Sequence, residues 1–412
     1  MDKKKILVII PFVPYPLNTG GNQGSFHMLN YIKDFFDVHV WFHINNPQKE
    51  KKLLDEFSSA LNNEVTIHFS SNKVGRNYIT ARALKRKFDA IFLKHDLQYL
   101  HNQRLWGEGV SGYADLQALE DINKIISAYK IDIVQIEYSM VLDMIYAIPK
   151  KVKKVFVHHE LGFARQSTLM DQLEHKYAYD EYWFRKNMDY EISALNRYDV
   201  IITMSDIDKG KLLENGVKTQ VVTSPSFIPQ PDFPEFKIAK HRLTYVASGG
   251  HFPNIEGLEW FIKNVHPLLI EKDNDYLLEV CGPKWDVAKL SVEIPENIHF
   301  LGFVEDLRNI VPGSVMIVPI LSGSGMRMKI LESVNNSVPF VSTTVGAEGL
   351  LFENCKDCYI TDDSRGFANC IFKLLQDANL QKEFVDNAKK LYEENYSPEI
   401  QAKKRLSILQ NV

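Results

Sequence analysis

Short apolar runs alternate with helical segments along nearly the whole chain, and the alternation is broken once, between Pro225 and Pro234, where four prolines fall in ten residues. Such alternation predicts parallel sheets with helices on both faces. In the first half the expected strands are Ile6–Pro11, Val38–Phe42, Val65–Phe69, Ile131–Ile136, Lys154–His158, Val200–Thr203 and Gln220–Thr223, with helices at Ser25–Phe36, Asp115–Ala128 and Leu173–Tyr198. The proline run leaves no room for a helix or a central strand and reads as a linker. Beyond it come strands Leu243–Ala247, Tyr276–Cys281, Ile298–Phe300, Val315–Pro319 and Phe340–Ser342, with helices Ile255–Leu269, Asp306–Ile310, Met326–Asn335 and Gly366–Leu375. The expected class is α/β: two doubly wound, Rossmann-like domains facing across a cleft, where the C-terminal edges of their sheets would take ligands. The expected domains are residues 1–228, a linker over 229–240, residues 241–395, and a final helix over 396–412 with Ile400, Leu406 and Leu409 on one side.

With 412 residues, 45% hydrophobic and 24% charged, the chain is long enough for two cores and reads as globular. The net charge of −4 supplies no basic field and argues against nucleic acid as a partner. The apolar run Ile6–Phe12 is short and meets Pro11, Pro14 and Pro16, so it is neither a signal peptide nor a span, and the expected address is the cytoplasm. Four cysteines do not make a disulfide framework; Cys355 and Cys358 form a lone C-x-x-C without a second pair and are expected to be ordinary thiols.

The stretch most suggestive of chemistry follows the apolar run Val315–Val318. Ser322, Gly323, Ser324 and Gly325 would let backbone N–H groups approach a ligand, and Met326, Arg327, Met328 and Lys329 open a helix carrying two cations near its N-terminus. Glu332 follows and could accept hydrogen bonds from a vicinal diol, so a nucleotide diphosphate is suggested over free phosphate. The loop has neither the Lys-Ser/Thr ending of a Walker loop nor a third dinucleotide-motif glycine.

Two D-x-D patterns invite a metal reading and have better explanations. Asp206 and Asp208 suit the first turn of a helix capped by Ser205, and Asp273 and Asp275 sit in a turn entering a strand. No metal and no cofactor are expected. His158-His159-Glu160 ends an apolar strand; neighbours on a strand point to opposite faces, so the two histidines do not suit one ion. His159, beside Glu160, is the candidate to position or polarise reacting groups, set against a histidine merely satisfied by backbone carbonyls.

Several blocks, in order, resemble the group 1 glycosyltransferases of the GT-B fold, the family 4-like retaining enzymes of bacterial polysaccharide assembly. They are Pro14-Tyr15-Pro16-Leu17 with Gly20-Gly21, Asn196-Arg197-Tyr198-Asp199 with Thr203-Met204-Ser205, Pro253-Asn254 with Gly257 and Trp260-Phe261, and Gly302-Phe303-Val304. Gly323 to Glu332 and Pro339 to Thr343 with Gly346-Ala347-Glu348-Gly349 complete the likeness, which is dense over 243–375. The resemblance implies a glycosyltransferase moving a sugar from a nucleotide-diphosphate donor to a glycan or lipid-linked acceptor, with retention and without a metal. It implies that Arg327 and Lys329 bind the donor diphosphate, that Glu332 binds the ribose, that Gly346, Ala347 and Glu348 lie near sugar or phosphate, and that Gly20 and Gly21 form a donor-side loop. It implies a histidine near the transferred sugar, here His159, and a last helix crossing back to the first domain. Many members carry a second glutamate eight residues before Glu332; Ser324 stands there, which leaves the sugar unread. A non-catalytic nucleotide-sugar-binding paralogue and a nucleotide-sugar epimerase of the same fold are the alternatives.

Between Lys73 and Phe92, Lys73, Arg76, Arg82, Lys85, Arg86 and Lys87 precede the first acid, Asp89, and interleave with apolar residues at near-helical spacing. The segment suits peripheral contact with an anionic membrane through 73–92, set against a helix with one buried and one solvated face.

Overall fold

The structure, a computed structural model, describes residues 3–17, 19–44, 47–71, 116–173, 175–227, 232–323 and 326–412. The chain divides into two compact units, residues 1–226 with 402–412, and residues 227–401. The segment 73–92 lies outside the described residues. Among the described residues no helix is long and apolar enough to cross a membrane.

Unit one is built on a seven-stranded sheet: β1 (Lys5–Ile10), β2 (Asp37–Ile44), β3 (Thr66–Ser71), β4 (Ile133–Glu137), β5 (Lys153–His158), β6 (Val200–Thr203) and β7 (Gln220–Thr223), in the order β3-β2-β1-β4-β5-β6-β7. Every pairing is parallel. Strands covered on both faces are apolar throughout rather than alternating, as Ile6 to Ile10 show at 0% exposure. Trp41, Phe156, Ile122 and Leu195 belong to this core.

Unit two repeats the plan with β8 (Arg242–Val246), β9 (Leu277–Cys281), β10 (Ile298–Gly302), β11 (Val315–Val318), β12 (Phe340–Ser342) and β13 (Tyr359–Ile360), ordered β10-β9-β8-β11-β12-β13 and again all parallel. Tyr245, Phe261, Phe340 and Phe367 are the large side chains of its core. Ala239, inside the expected linker, is buried and held by Gln381, whose Oε1 accepts from its N–H (2.8 Å) and whose Nε2 donates to its carbonyl (3.0 Å). The segment 232–240 is therefore packed into unit two.

Several helices differ from expectation for local reasons. The expected helix Leu173–Tyr198 forms over the shorter span Ala178–Leu195, where the Asp180 carboxylate accepts from the Tyr177 N–H (2.9 Å) and starts it, and a further helix, Gly162–Gln172, precedes it. The expected helix Ile255–Leu269 becomes Phe252–Trp260, a wide turn Phe261–Val265 and a short helix His266–Ile270. Pro267 has no N–H to continue the ladder, and the wide turn lies just before it. Met326–Asn335 starts at Met328, and Asp306–Ile310 is a single tight turn, Leu307–Asn309. Beyond β1 and β5, residues 14–24 and 158–165 already carry the first turns of helices Gly20–Ile32 and Gly162–Gln172.

Candidate functional site

In unit two the strand order reverses between β8 and β11, and doubly wound sheets take ligands beyond the C-terminal ends of the strands on either side of such a reversal. The loop leaving β11 is fixed from below. Helix Phe252–Trp260 crosses it so closely at Gly257 that a Cβ there would lie 2.2 Å from the Pro319 carbonyl oxygen. Ser322 is buried and its hydroxyl donates to Glu256 of that helix. Gly323 takes φ +104°, a left-handed conformation that favours glycine, with the Pro253 ring against it. Ser324 and Gly325 lie outside the described residues.

Arg327 ends the loop and joins it to a second one. Its Nε donates to the Val345 carbonyl (2.9 Å), its Nη2 donates to the Gly323 carbonyl (2.8 Å), and the same Nη2 lies 3.8 Å from Glu348 Oε2. Val345 belongs to the short helix Thr344–Ala347, capped by Thr343, whose hydroxyl donates to the Ile320 carbonyl and accepts from the Gly346 N–H. Gly346 and Ala347 are buried; a Cβ on Gly346 would meet the Val318 carbonyl oxygen at 2.6 Å, so this glycine serves close packing. Met326 is half-buried. Ser322, Gly323, Arg327, Gly346 and Glu348 are thus brought together.

Lys329 and Glu332 follow on helix Met328–Asn335 and are half-buried. Burial, and then the positive charge of Arg327, pulls the Lys329 ammonium down to about 8, and burial pushes the Glu332 carboxyl up to about 7. Both charged forms are held at a cost that a bound anion and a bound hydroxyl donor would relieve.

In unit one the order reverses between β1 and β4, and a second polar group stands there. Glu137, the last residue of β4, is 2% exposed. Its Oε2 accepts from Ser25 Oγ (2.8 Å) and lies 3.0 Å from His159 Nε2, and its Oε1 accepts from Gln135 Nε2 (2.7 Å). Burial alone would raise this carboxyl; the His159 hydrogen bond and charge, the Ser25 hydroxyl and the Arg405 charge outweigh it and bring it below the usual range. Tyr138 stacks on the His159 ring at 4.1 Å and 13°, and its hydroxyl reaches the Gly21 carbonyl at 3.3 Å. The expected neighbour Glu160 is not the partner of His159; Glu137 is. Gly20 and Gly21 open helix Gly20–Ile32 beside Tyr138, so within unit one they stand with His159.

The preceding residue anchors the loop. His158 Nε2 lies 2.9 Å from Glu191 Oε1, and the same carboxylate accepts from the N–H groups of Gly162 (3.0 Å) and Phe163 (2.9 Å). Glu191 therefore caps helix Gly162–Gln172 from another helix.

Glu137, Tyr138, Ser25, Glu191 and Arg405 were not singled out from sequence. A signal existed for the first: Gln135 and Glu137 share one face of an otherwise apolar strand, and an ionisable side chain in a buried strand needs a partner. Of the D-x-D pairs, Asp208 lies in the first turn of helix Asp206–Glu214, where its N–H donates to Ser205 Oγ (3.0 Å), and Asp273 pairs with His241 (2.8 Å). Among the described residues no three His, Cys, Asp or Glu side chains are grouped to hold a metal ion.

Residues 240–377 match the family model described as Glycosyl transferases group 1. A curated relative, an uncharacterized 44.6 kDa protein in a cps region of Klebsiella pneumoniae, is 29% identical over 184 residues, 42% of this chain and 47% of that protein. The chain thus matches about half the length of that relative. Among solved structures, a TarM variant of S. aureus with fondaparinux, alpha-GlcNAc-glycerol and UDP is similar at TM-score 0.67 and 13% identity, over 98% of this chain and 99% of that one. Anabaena HepE with UDP and glucose gives TM-score 0.66 at 12% identity over 100% of both chains. Sucrose-phosphate synthase from Thermosynechococcus elongatus gives 0.66 at 12% over 99% of both. The two parallel-sheet units have the GT-B fold of these proteins, and within the second unit residues 240–377 carry the match to the group 1 glycosyl transferases.

Proposed function

We propose that this protein is a glycosyltransferase that moves a sugar from a nucleotide-diphosphate donor to a glycan or lipid-linked acceptor, with retention and without a metal. The observation that carries the proposal is the start of helix Met328–Asn335. There Arg327 is fixed by two loops, Lys329 is burdened by burial and a neighbouring cation, and Glu332 is held up by burial. A diphosphate would stabilise both cations, and ribose hydroxyls donating to Glu332 would favour its carboxylate.

In the reaction the bond from the anomeric carbon to the phosphate oxygen breaks and the nucleoside diphosphate leaves with the electron pair. The acceptor oxygen bonds to that carbon on the same face, and its proton passes to a donor phosphate oxygen. Arg327 and Lys329 offset the charge that develops on the leaving group. His159, held by Glu137 and stacked on Tyr138, serves the transferred sugar or its acceptor.

UDP and UDP-sugars are the first probes, because the TarM and HepE structures were solved with UDP. The cps-region relative supports polysaccharide assembly as the setting. The basic, amphipathic pattern of segment 73–92 is the basis for proposing that the protein works on the cytoplasmic side of the membrane with this segment as a docking element. A thermal-shift screen with UDP, GDP, ADP and their sugars tests the donor site: a ligand at a hundred times its Kd adds about 2.7 kcal/mol of stability. Product analysis with the best donor in EDTA should show transfer; absence of a response to any nucleotide overturns the proposal. Co-sedimentation with anionic vesicles, weakened by neutralising Lys85, Arg86 and Lys87, tests the docking.

A further inference from the structure

The last helix, Pro398–Gln410, belongs to unit one from Ala402 onward. Arg405 on it is 2% exposed. Its Nε donates to Ser224 Oγ (3.2 Å) and its Nη2 to the Ser224 carbonyl (2.7 Å). Ser224 is itself fully buried just beyond β7, where its N–H donates to the Thr203 carbonyl (2.9 Å). Two residues on, Ser226 presses on helix Gly20–Ile32: a Cβ added at Gly24 would lie 2.9 Å from its hydroxyl. The next residue of that helix, Ser25, donates to Glu137. Guanidinium, Ser224–Ser226, the first turns of helix Gly20–Ile32 and Glu137 therefore form one packed group.

The partners of Arg405 at Ser224 are a hydroxyl and a carbonyl, which carry no charge, and a guanidinium shut away from water needs an anion. Among the described residues the anion acting on it is Glu137. Burial pulls the guanidinium down to about 10 and Glu137 acts against this, while Arg405 in turn favours the charged form of Glu137. Glu137 also faces His159, Ser25, Gln135 and Tyr138.

We propose that Arg405 is a positioning residue: it is the buried counter-charge for Glu137, through which the His159 ring is held, so that the end of the chain completes the unit-one site. The inference rests on the glycosyl-transfer reading for its kinetic consequence and on unit one alone for its physical basis.

A double-mutant cycle on the full-length protein tests it, with Arg405→Met, Glu137→Gln and the pair. Arg405→Met should lower kcat tenfold or more while UDP affinity measured by calorimetry stays within twofold. The acid limb of the kcat profile should move to higher pH, because Glu137 takes up its proton more readily once the cation is gone. In the Glu137→Gln background the same substitution should change kcat and Tm far less. Arg405→Lys, which keeps the charge, should retain the wild-type acid limb, and it carries the test if Arg405→Met does not fold. An additive cycle, an unmoved acid limb in Arg405→Met, or a moved one in Arg405→Lys overturns the inference. Should the wild type bind UDP but transfer nothing, the functional reading fails separately, and the cycle in Tm still decides the Arg405–Glu137 link.

Discussion

Lys329 and Glu332 stand three residues apart on one helix, yet among the described residues no ion pair joins them, and burial works against the charge on both. Opposite charges at this spacing usually relieve one another. Here the lysine is drawn down to about 8 and the glutamate up to about 7, so each retains a need that a ligand can meet.

Proton linkage follows directly. Near pH 8 part of Lys329 is neutral, and a bound diphosphate favours the ammonium, so binding takes up protons. Near pH 7 part of Glu332 is protonated, and ribose hydroxyls donating to it favour the carboxylate, so binding releases protons. Calorimetry of UDP binding in buffers of different ionisation enthalpy should show net release below pH 7, net uptake above pH 8 and a crossing between. Lys329→Met should remove the uptake and Glu332→Gln the release; no linkage anywhere from pH 6 to 9 would contradict the assignment.

Arg327 acts as a clamp as well as a charge, because its guanidinium spans the Gly323 and Val345 carbonyls. A lysine is a point charge on a flexible stem and cannot reproduce that span. Arg327→Lys should weaken UDP binding at least tenfold, about 1.4 kcal/mol, and Arg327→Ala further. Equal affinity of Arg327→Lys and wild type would reduce the residue to its charge.

How far these features were legible in the sequence differs between the units. Strands β1 and β11 announce themselves as unbroken apolar runs, because parallel strands covered on both faces need no polar alternation. The cations of the β11 loop are adjacent in sequence to that signal, so Arg327, Lys329 and Glu332 could be named. In unit one the carboxylate that meets His159 is twenty-two residues away on β4, and the buried guanidinium comes from the final helix. Partners set by tertiary packing leave no local spacing to read. Helix Gly162–Gln172 was hidden for the same reason: its cap is Glu191, supplied from another helix.

Gly257 tests how the donor loop is supported. Its missing side chain lets helix Phe252–Trp260 lie on the Pro319 carbonyl, and backbone on both sides leaves nothing flexible to give way. Gly257→Ala should cost roughly 1–3 kcal/mol and lower Tm by several degrees, with UDP affinity falling because Glu256 and its bond to Ser322 shift together. Calorimetry and thermal denaturation of one variant check both; unchanged Tm would mean the helix can withdraw without cost.

Tyr138 separates stacking from hydrogen bonding at His159. Its ring lies nearly parallel to the imidazole, while its hydroxyl makes only long contacts, 3.3 Å each, to Ser25 and the Gly21 carbonyl. It also holds φ +73°, a conformation that costs a bulky residue and persists only where its surroundings fix it. Tyr138→Phe keeps the stacked ring and should leave kcat within about threefold, since the lost bonds are weak by their length. Tyr138→Leu removes the aromatic face and should lower kcat about tenfold, with UDP affinity unchanged because no donor contact is assigned to it. If Tyr138→Phe proves as damaging as Tyr138→Leu, the hydroxyl rather than the ring serves His159.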